Sequence, residues 1–252
     1  MAVFVFKKMA STNAEGKNPC YAHGDVVVAL EQTAGRGQRG NKWDSEPGKN
    51  LTLSLVWKPE FLAAKEQFLL SEAVALALVD ALKTYDIEAT IKWTNDIYVG
   101  DKKLVGILIE HTLAPTTLRR TIVGVGINVN QTEFDASLPN PVSMAQLLGK
   151  ELNAEEVLRC FLKHLQENYE FLRRIKNSQH STLNSQLNSD DALHQRYNSL
   201  LYRLNELHIY ALPSGERFSA KILGTAPNGA LRLEDTEGKT KDYLFKEVEF
   251  VI

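Results

Sequence analysis

The chain has 252 residues, 44% of them apolar and 24% charged, the balance of a globular protein rather than a disordered one. Its formal net charge of −2 excludes an overall basic field for nucleic acid, and no stretch approaches the roughly 18 uninterrupted apolar residues of a membrane span. Cys20 and Cys160 lie too far apart for a zinc knuckle, a redox CxxC or a disulfide framework; with no signal-peptide pattern at the N-terminus, a reducing cytoplasm is expected.

Val3 to Phe6 reads as a short strand, and Thr12 and Glu15 stand at capping-box spacing, so a short helix starts there before Gly16. Asp25 to Glu31 is a buried strand. After a Gly-rich polar stretch, Leu51 to Trp57 alternates Leu51, Leu53, Leu55 against Thr52, Ser54, Val56, a strand with two distinct faces. Residues 66–84 carry an apolar helical stripe (Leu69, Ala73, Leu76, Val79, Leu82). Strands follow at Ala89 to Trp93, Ile97 to Val99, Lys102 to Glu110 and Arg120 to Asn128, with Gly100-Asp101 as a two-residue hairpin turn. Leu158, Phe161, Leu162, Leu165, Tyr169 and Leu172 mark a helix over 155–174. The polar run 176–192 reads as a boundary or loose loop, and a further helix covers about 193–205. Four short strand-like runs near 207–212, 217–224, 229–234 and 240–251, divided by Pro-Ser-Gly, Pro-Asn-Gly and Glu-Gly turns, indicate a small β-barrel.

Gly35-Arg36-Gly37-Gln38-Arg39-Gly40 has GxGxxG spacing, but a dinucleotide site needs a helix opening at that loop, and here Pro47, Gly48 and then a strand follow. A Walker loop fails as well, because Gly48-Lys49 lacks both the upstream glycine and the hydroxyl residue. What remains is a glycine loop with two guanidinium forks, suited to phosphate or carboxylate, or an ordinary surface hairpin. Lys92 and Lys103 stand in strand sequence, where a single lysine as often points to solvent. Asn95-Asp96 fits a turn cap, and Gly106 inside an apolar strand marks a bulge or a close backbone approach. Gly124 to Asn128 repeats that hint. The set has cations but no nucleophile: no GxSxG elbow and no informative Cys/His pair. Such a site suits a reaction between the substrates themselves.

Taken in order, Ser11-Thr12-Asn13, Glu31-Gln32-Thr33-Ala34 leading into the glycine loop with Trp43, Lys92-Trp93-Thr94-Asn95-Asp96, Lys103 to Leu108 and Gly124 to Asn128 resemble the biotin protein ligase family over essentially the whole chain. The resemblance implies an α+β fold of the class II aminoacyl-synthetase and biotin-ligase kind. Its central sheet would be mixed and mainly antiparallel, flanked by helices in a catalytic domain over 1–203, with an SH3-like barrel over 204–252. It implies activation of biotin by ATP and Mg²⁺ to biotinyl-5′-AMP, then transfer to a lysine of a biotin carboxyl carrier protein.

By the same resemblance, Arg36, Lys92 and Lys103 are the catalytic cations. Ser11, Thr12, Asn13, Gln32, Gly35, Arg36, Gly37, Lys103 and Gly106 receive biotin, while Arg36, Gln38, Arg39, Trp43, Lys92, Asn95 and Asn128 receive the nucleotide. Asp96 either orients a cation, including a metal, or caps its turn. Two positions depart from the family: Gln38 stands where an arginine is frequent, and Thr94 where a proline is usual. Some relatives begin with a DNA-binding helix-turn-helix domain; this chain begins almost at the Ser-Thr-Asn motif, so no repressor role and no nucleic-acid partner are expected. Sheet edges in the family pair into homodimers or dock the acceptor, and both options stay open. The rival readings are a lipoate protein ligase, which needs no ureido-binding polar set, and a non-catalytic binding protein, which needs no phosphate cations.

Overall fold

A computed structural model describes residues 1–178 and 189–251. In chain order the first part forms β1 (Val3–Phe6), α1 (Thr12–Glu15), β2 (Val26–Ala29), β3 (Leu51–Trp57), α2 (Phe68–Lys83), β4 (Thr90–Lys92), β5 (Asp96–Val99), β6 (Lys102–Leu113) and β7 (Leu118–Ile127). Three helices follow, α3 (Met144–Leu148), α4 (Ala154–Ser178) and α5 (Ser189–Ser199), and then β8 (Leu207–Ala211), β9 (Arg217–Thr225), β10 (Leu231–Asp235), β11 (Thr240–Tyr243) and β12 (Glu249–Phe250). Seven strands make one sheet in the order β1-β2-β3-β7-β6-β5-β4, parallel only between β1 and β2; the last five make an antiparallel sheet, β11-β10-β9-β8-β12. The fold is α+β, as expected.

Hydrophobic patterning explains the layering. Helix α2 is apolar nearly all round and is buried over most of its length, because the sheet covers one side and α4 and α5 cover the other. Helix α4 instead turns one stripe inward (Leu158, Phe161, Leu162, Leu165, Leu172), and its Tyr169 stacks on Trp57 of β3 at 4.4 Å between ring centres. No helix among the described residues is long and apolar enough to cross a membrane. All seven residues of β3 are buried, so the two faces foreseen there differ in chemistry rather than in exposure. Leu51, Leu53, Leu55 and Trp57 join the main core, whereas Thr52 and Ser54 face the opposite side with buried hydrogen bonds.

Three elements differ from expectation. Helix α3 was not foreseen, although Ser143 and Gln146 form a full capping box and Gly149 closes the helix with φ 68°. Helix α5 ends at Ser199, and Arg203 and Asn205 follow with positive φ. The single run expected over 240–251 is two strands, since β11 and β12 lie at opposite edges of the sheet and the chain must cross between them. Residues 179–188, most of the polar run foreseen as a boundary, lie outside the described residues.

The smaller sheet docks against β4. Main-chain bonds join Ile91 to Leu200 and Tyr202, the Trp93 indole N–H donates to the Gly229 carbonyl at 2.9 Å, and the Phe245 ring meets Trp93 edge-on. This contact brings the crossing loop after β11 to the site described next.

Candidate active site

The register of three adjacent strands builds the floor of the site. Thr52 pairs with Gly126 and Ser54 with Gly124 across β3 and β7; Gly106 pairs with Gly126 and Leu108 with Gly124 across β6 and β7. Partners in register share a face, so Gly106, Gly124 and Gly126 open a trough beside Ser54. Two side chains fill parts of it. A Cβ on Gly124 would lie 2.0 Å from Asn13 Oδ1, and a Cβ on Gly126 would lie 2.2 Å from the Trp43 indole. The close approach expected at Gly106 is made by the same indole, 2.7 Å from where a Cβ would stand.

The glycine loop folds back on itself. Gly37 N–H donates to the Asn41 carbonyl, Trp43 N–H donates to the Gly35 carbonyl, and Gln38–Gly40 makes one 3-10 turn. The loop thereby leads back to Trp43 and opens onto no helix, in keeping with the rejected dinucleotide reading.

A cavity of about 250 Å³ lies above this floor. Ser11, Thr12, Asn13 and Gln32 line one wall, and Arg36, Gly37, Gln38 and Trp43 come from the loop. Lys92, Asn95, Asp96, Lys103 and Gly106 line the other side. Thirteen of the residues singled out in the sequence therefore meet in one place, although they come from distant segments. Gly35 is buried against Trp43 and does not line the cavity. Asn128 lies outside it too, its Nδ2 donating to the Val142 carbonyl at 3.1 Å. The Arg39 side chain lies outside the described residues.

Each cation is held differently. Lys103 Nζ sits 2.7 Å from Asp96 Oδ1 and 5.8 Å from the Trp43 ring centre. Lys92 Nζ lies 5.1 Å from the Tyr98 ring centre and 5.0 Å from that of Phe250, a residue of the smaller sheet. Burial holds the Lys92 ammonium below its ordinary pKa, with Lys103 and Arg203 adding to the effect and Asp96 opposing it. Arg36 Nη2 is 3.5 Å from Glu110 Oε2. Burial pushes the Glu110 carboxyl up, but hydrogen bonds from Lys17 and Asn13 and the nearby Arg36 outweigh it and leave the group below its usual range.

The polar wall is nearly saturated with hydrogen bonds. Thr12 N–H donates to Gln32 Oε1 at 2.7 Å, which leaves the Gln32 amide nitrogen as the free end. Ser11 caps α1 without a side-chain bond, so its hydroxyl stays open to the cavity. Asn95 Nδ2 donates to the Ile107 carbonyl at 2.6 Å, bracing the turn that presents Asp96. Among the described residues no group of three or more His, Cys, Asp or Glu gathers, and Asp96 is engaged by Lys103. These side chains do not form a protein-built metal cage.

Sequence reasoning missed Ser54, Glu110, Trp93 and Phe245. Ser54 had a signal, a hydroxyl inside a buried strand, and Glu110 closes the Lys103-to-Glu110 strand. Phe245 had none, because only the docking of the second sheet carries it to the cavity.

Residues 5–128 match the biotin/lipoate A/B protein ligase family. The chain is similar in structure to the biotin protein ligase of Aquifex aeolicus, solved in complex with biotin and ATP, with a TM-score of 0.81, 26% identity and 99% of both chains covered. The chain is thus similar, over nearly its full length, to the biotin protein ligases. Among curated family members, the Bacillus subtilis bifunctional ligase/repressor BirA is 32% identical over 170 residues, 65% of this chain and 52% of the relative. The biotin–[acetyl-CoA-carboxylase] ligase of Paracoccus denitrificans is 35% identical over 159 residues, 59% of this chain and 65% of the relative. The chain thus aligns with about half the length of the Bacillus protein.

Proposed function

We propose that this chain is a cytoplasmic biotin protein ligase. The biotin carboxylate oxygen attacks the α-phosphorus of ATP, pyrophosphate leaves, and biotinyl-5′-AMP forms. The neutral amine of a carrier-protein lysine then attacks the acyl carbon, and AMP leaves with the bonding electron pair.

The observation that carries this reading is the meeting of Arg36, Lys92 and Lys103 with the Ser11–Thr12–Gln32 wall in one cavity. The first step brings two anions together; at ~4 Å and an effective dielectric of ~20 their repulsion is about 4 kcal/mol. Cations fixed before the substrates arrive relieve that repulsion without reorganisation. Arg36 and Lys103 serve the carboxylate and α-phosphate, with Asp96 aiming Lys103. Lys92 and Arg39 serve the remaining phosphates. Trp43 offers the planar surface beside the nucleotide, and Asn128 acts through the turn at Val142 rather than by contact. Among the described residues Mg²⁺ finds no ready set of protein ligands, so it belongs with the nucleotide phosphates.

The polar wall suits the ureido ring of biotin, which carries both N–H donors and a carbonyl acceptor. Gln32 offers amide N–H groups, and the Ser11 hydroxyl offers either role. A biotin carboxyl carrier protein is the acceptor. The test is mass spectrometry of such a carrier domain after incubation with this protein, biotin, Mg²⁺ and ATP. The expected product carries one biotinyl group on lysine, and an unchanged mass refutes the proposal.

A further inference from the structure

The buried bonds behind the polar wall run in one direction. Asn13 Nδ2 has two protons and gives them to Glu110 Oε2 at 2.9 Å and the Leu108 carbonyl at 3.2 Å. Both partners are acceptors only, so the Asn13 amide oxygen must point the other way, where Ser54 donates to it at 2.6 Å. That bond uses the only proton on Ser54. Ser54 Oγ also lies 2.8 Å from Thr12 Oγ1, a distance that two hydroxyl oxygens hold only with a proton between them. Thr12 must supply it. The neighbouring Gln32 Oε1 does not compete strongly, since it lies 3.2 Å from the Thr12 hydroxyl and already receives the Thr12 N–H at 2.7 Å.

Burial makes this order rigid. Thr12, Asn13 and Ser54 are almost fully buried, and Gly124 is hollow where the Asn13 amide sits. At the outer end Lys17 Nζ lies 2.7 Å from Glu110 Oε1, keeping the terminal carboxylate ionised and unable to donate. A buried chain of this kind tolerates a reversed member poorly, because a reversed amide would set oxygen against oxygen.

We infer that Glu110 is a positioning residue which, through Asn13 and Ser54, fixes the Thr12 hydroxyl as a hydrogen-bond acceptor toward the ligand. Asn13, expected to touch biotin, is instead a strut whose polar atoms are all committed within the protein. The inference rests on the biotin reading above: a ureido N–H is the donor that an acceptor-only Thr12 receives, and a ligand presenting only acceptors is turned away.

The test is calorimetric titration of the full chain with biotin, comparing wild type with Glu110→Ala, Ser54→Ala and the double variant, each checked for folding by its thermal midpoint. Each single change is expected to raise the biotin Kd about tenfold, the scale of one impaired buried hydrogen bond. The double variant should be no weaker than the worse single one, because both cut the same chain. Glu110→Gln keeps an acceptor for the Asn13 amide and should recover most of the lost affinity; it also serves if Glu110→Ala fails to fold. Multiplying losses, a wild-type Kd in Glu110→Ala, or Glu110→Gln binding as weakly as Glu110→Ala each overturn the inference. A wild-type protein that does not bind biotin overturns the ligand reading, and this role with it.

Discussion

Replacing Gly126 by alanine sets one methyl group against the Trp43 indole. The new Cβ would stand 2.2 Å from Cε2 and 2.5 Å from Cζ2 of that ring, where carbon atoms ordinarily rest roughly 3.5–4.0 Å apart. Something must move by about 1.3 Å or more. Strand β7 cannot yield, because hydrogen-bonded neighbours, β3 and β6, hold it on both sides. The indole must therefore lift, losing its seat on Gly106 and entering the cavity. Overpacking of this kind costs about 1–3 kcal/mol, and for a chain of this length each kcal/mol lowers Tm by roughly 2–4 °C. Thermal denaturation reads the stability, and biotin-dependent exchange of pyrophosphate into ATP reads adenylation; both should fall in Gly126→Ala. Adding Trp43→Ala removes the clashing ring and should restore most of the stability but not the exchange. A Gly126→Ala protein with wild-type Tm and wild-type exchange would falsify the packing argument.

Arg36→Ala should abolish pyrophosphate exchange while leaving the melting curve in place, since the side chain is half exposed and its ion pair with Glu110 is long; wild-type exchange would remove Arg36 from the proposed chemistry. In competition calorimetry lipoate should fail to displace biotin by about 10⁴-fold, because it leaves the polar wall unpaired; equal affinities would favour the lipoate ligase reading. Asp25 is buried and held below its usual carboxylate range by N–H groups of Ala2 and Ala22, despite the opposing effect of burial. A depressed folded pKa contributes stability that is full above the unfolded value near 3.8 and fades as pH falls through the lower folded value. Urea midpoints of wild type and Asp25→Asn should therefore differ most near neutral pH and converge below pH 3.8, and a constant gap across that range would contradict the assignment.

Local periodicity made most of the elements legible. The stripe from Leu158 to Leu172 and the valines of β2 announce their states without help from the rest of the chain. The crossing near Lys246 was hidden, because a φ of 73° at a lysine leaves no mark in an apolar-polar pattern. Among site residues, the three glycines were seen to need close neighbours, yet sequence could not say that Asn13 fills one hollow and Trp43 two. Those partners are fixed by strand register, which local pattern does not specify. Asn128, which ends a core strand, directs its amide nitrogen to the Val142 carbonyl and does not line the cavity, a placement that strand pattern alone does not give. The acidic Asp96 similarly resolved toward Lys103.

The aromatic shelter of Lys92 couples remote parts of the molecule. One of its two rings arrives on the last strand, so any tag, trimming or exchange of segments near that terminus reaches the ammonium group without touching its neighbours in sequence. An engineer who regards the carboxyl end as a free handle would be adjusting the solvation of a charge that lines the cavity.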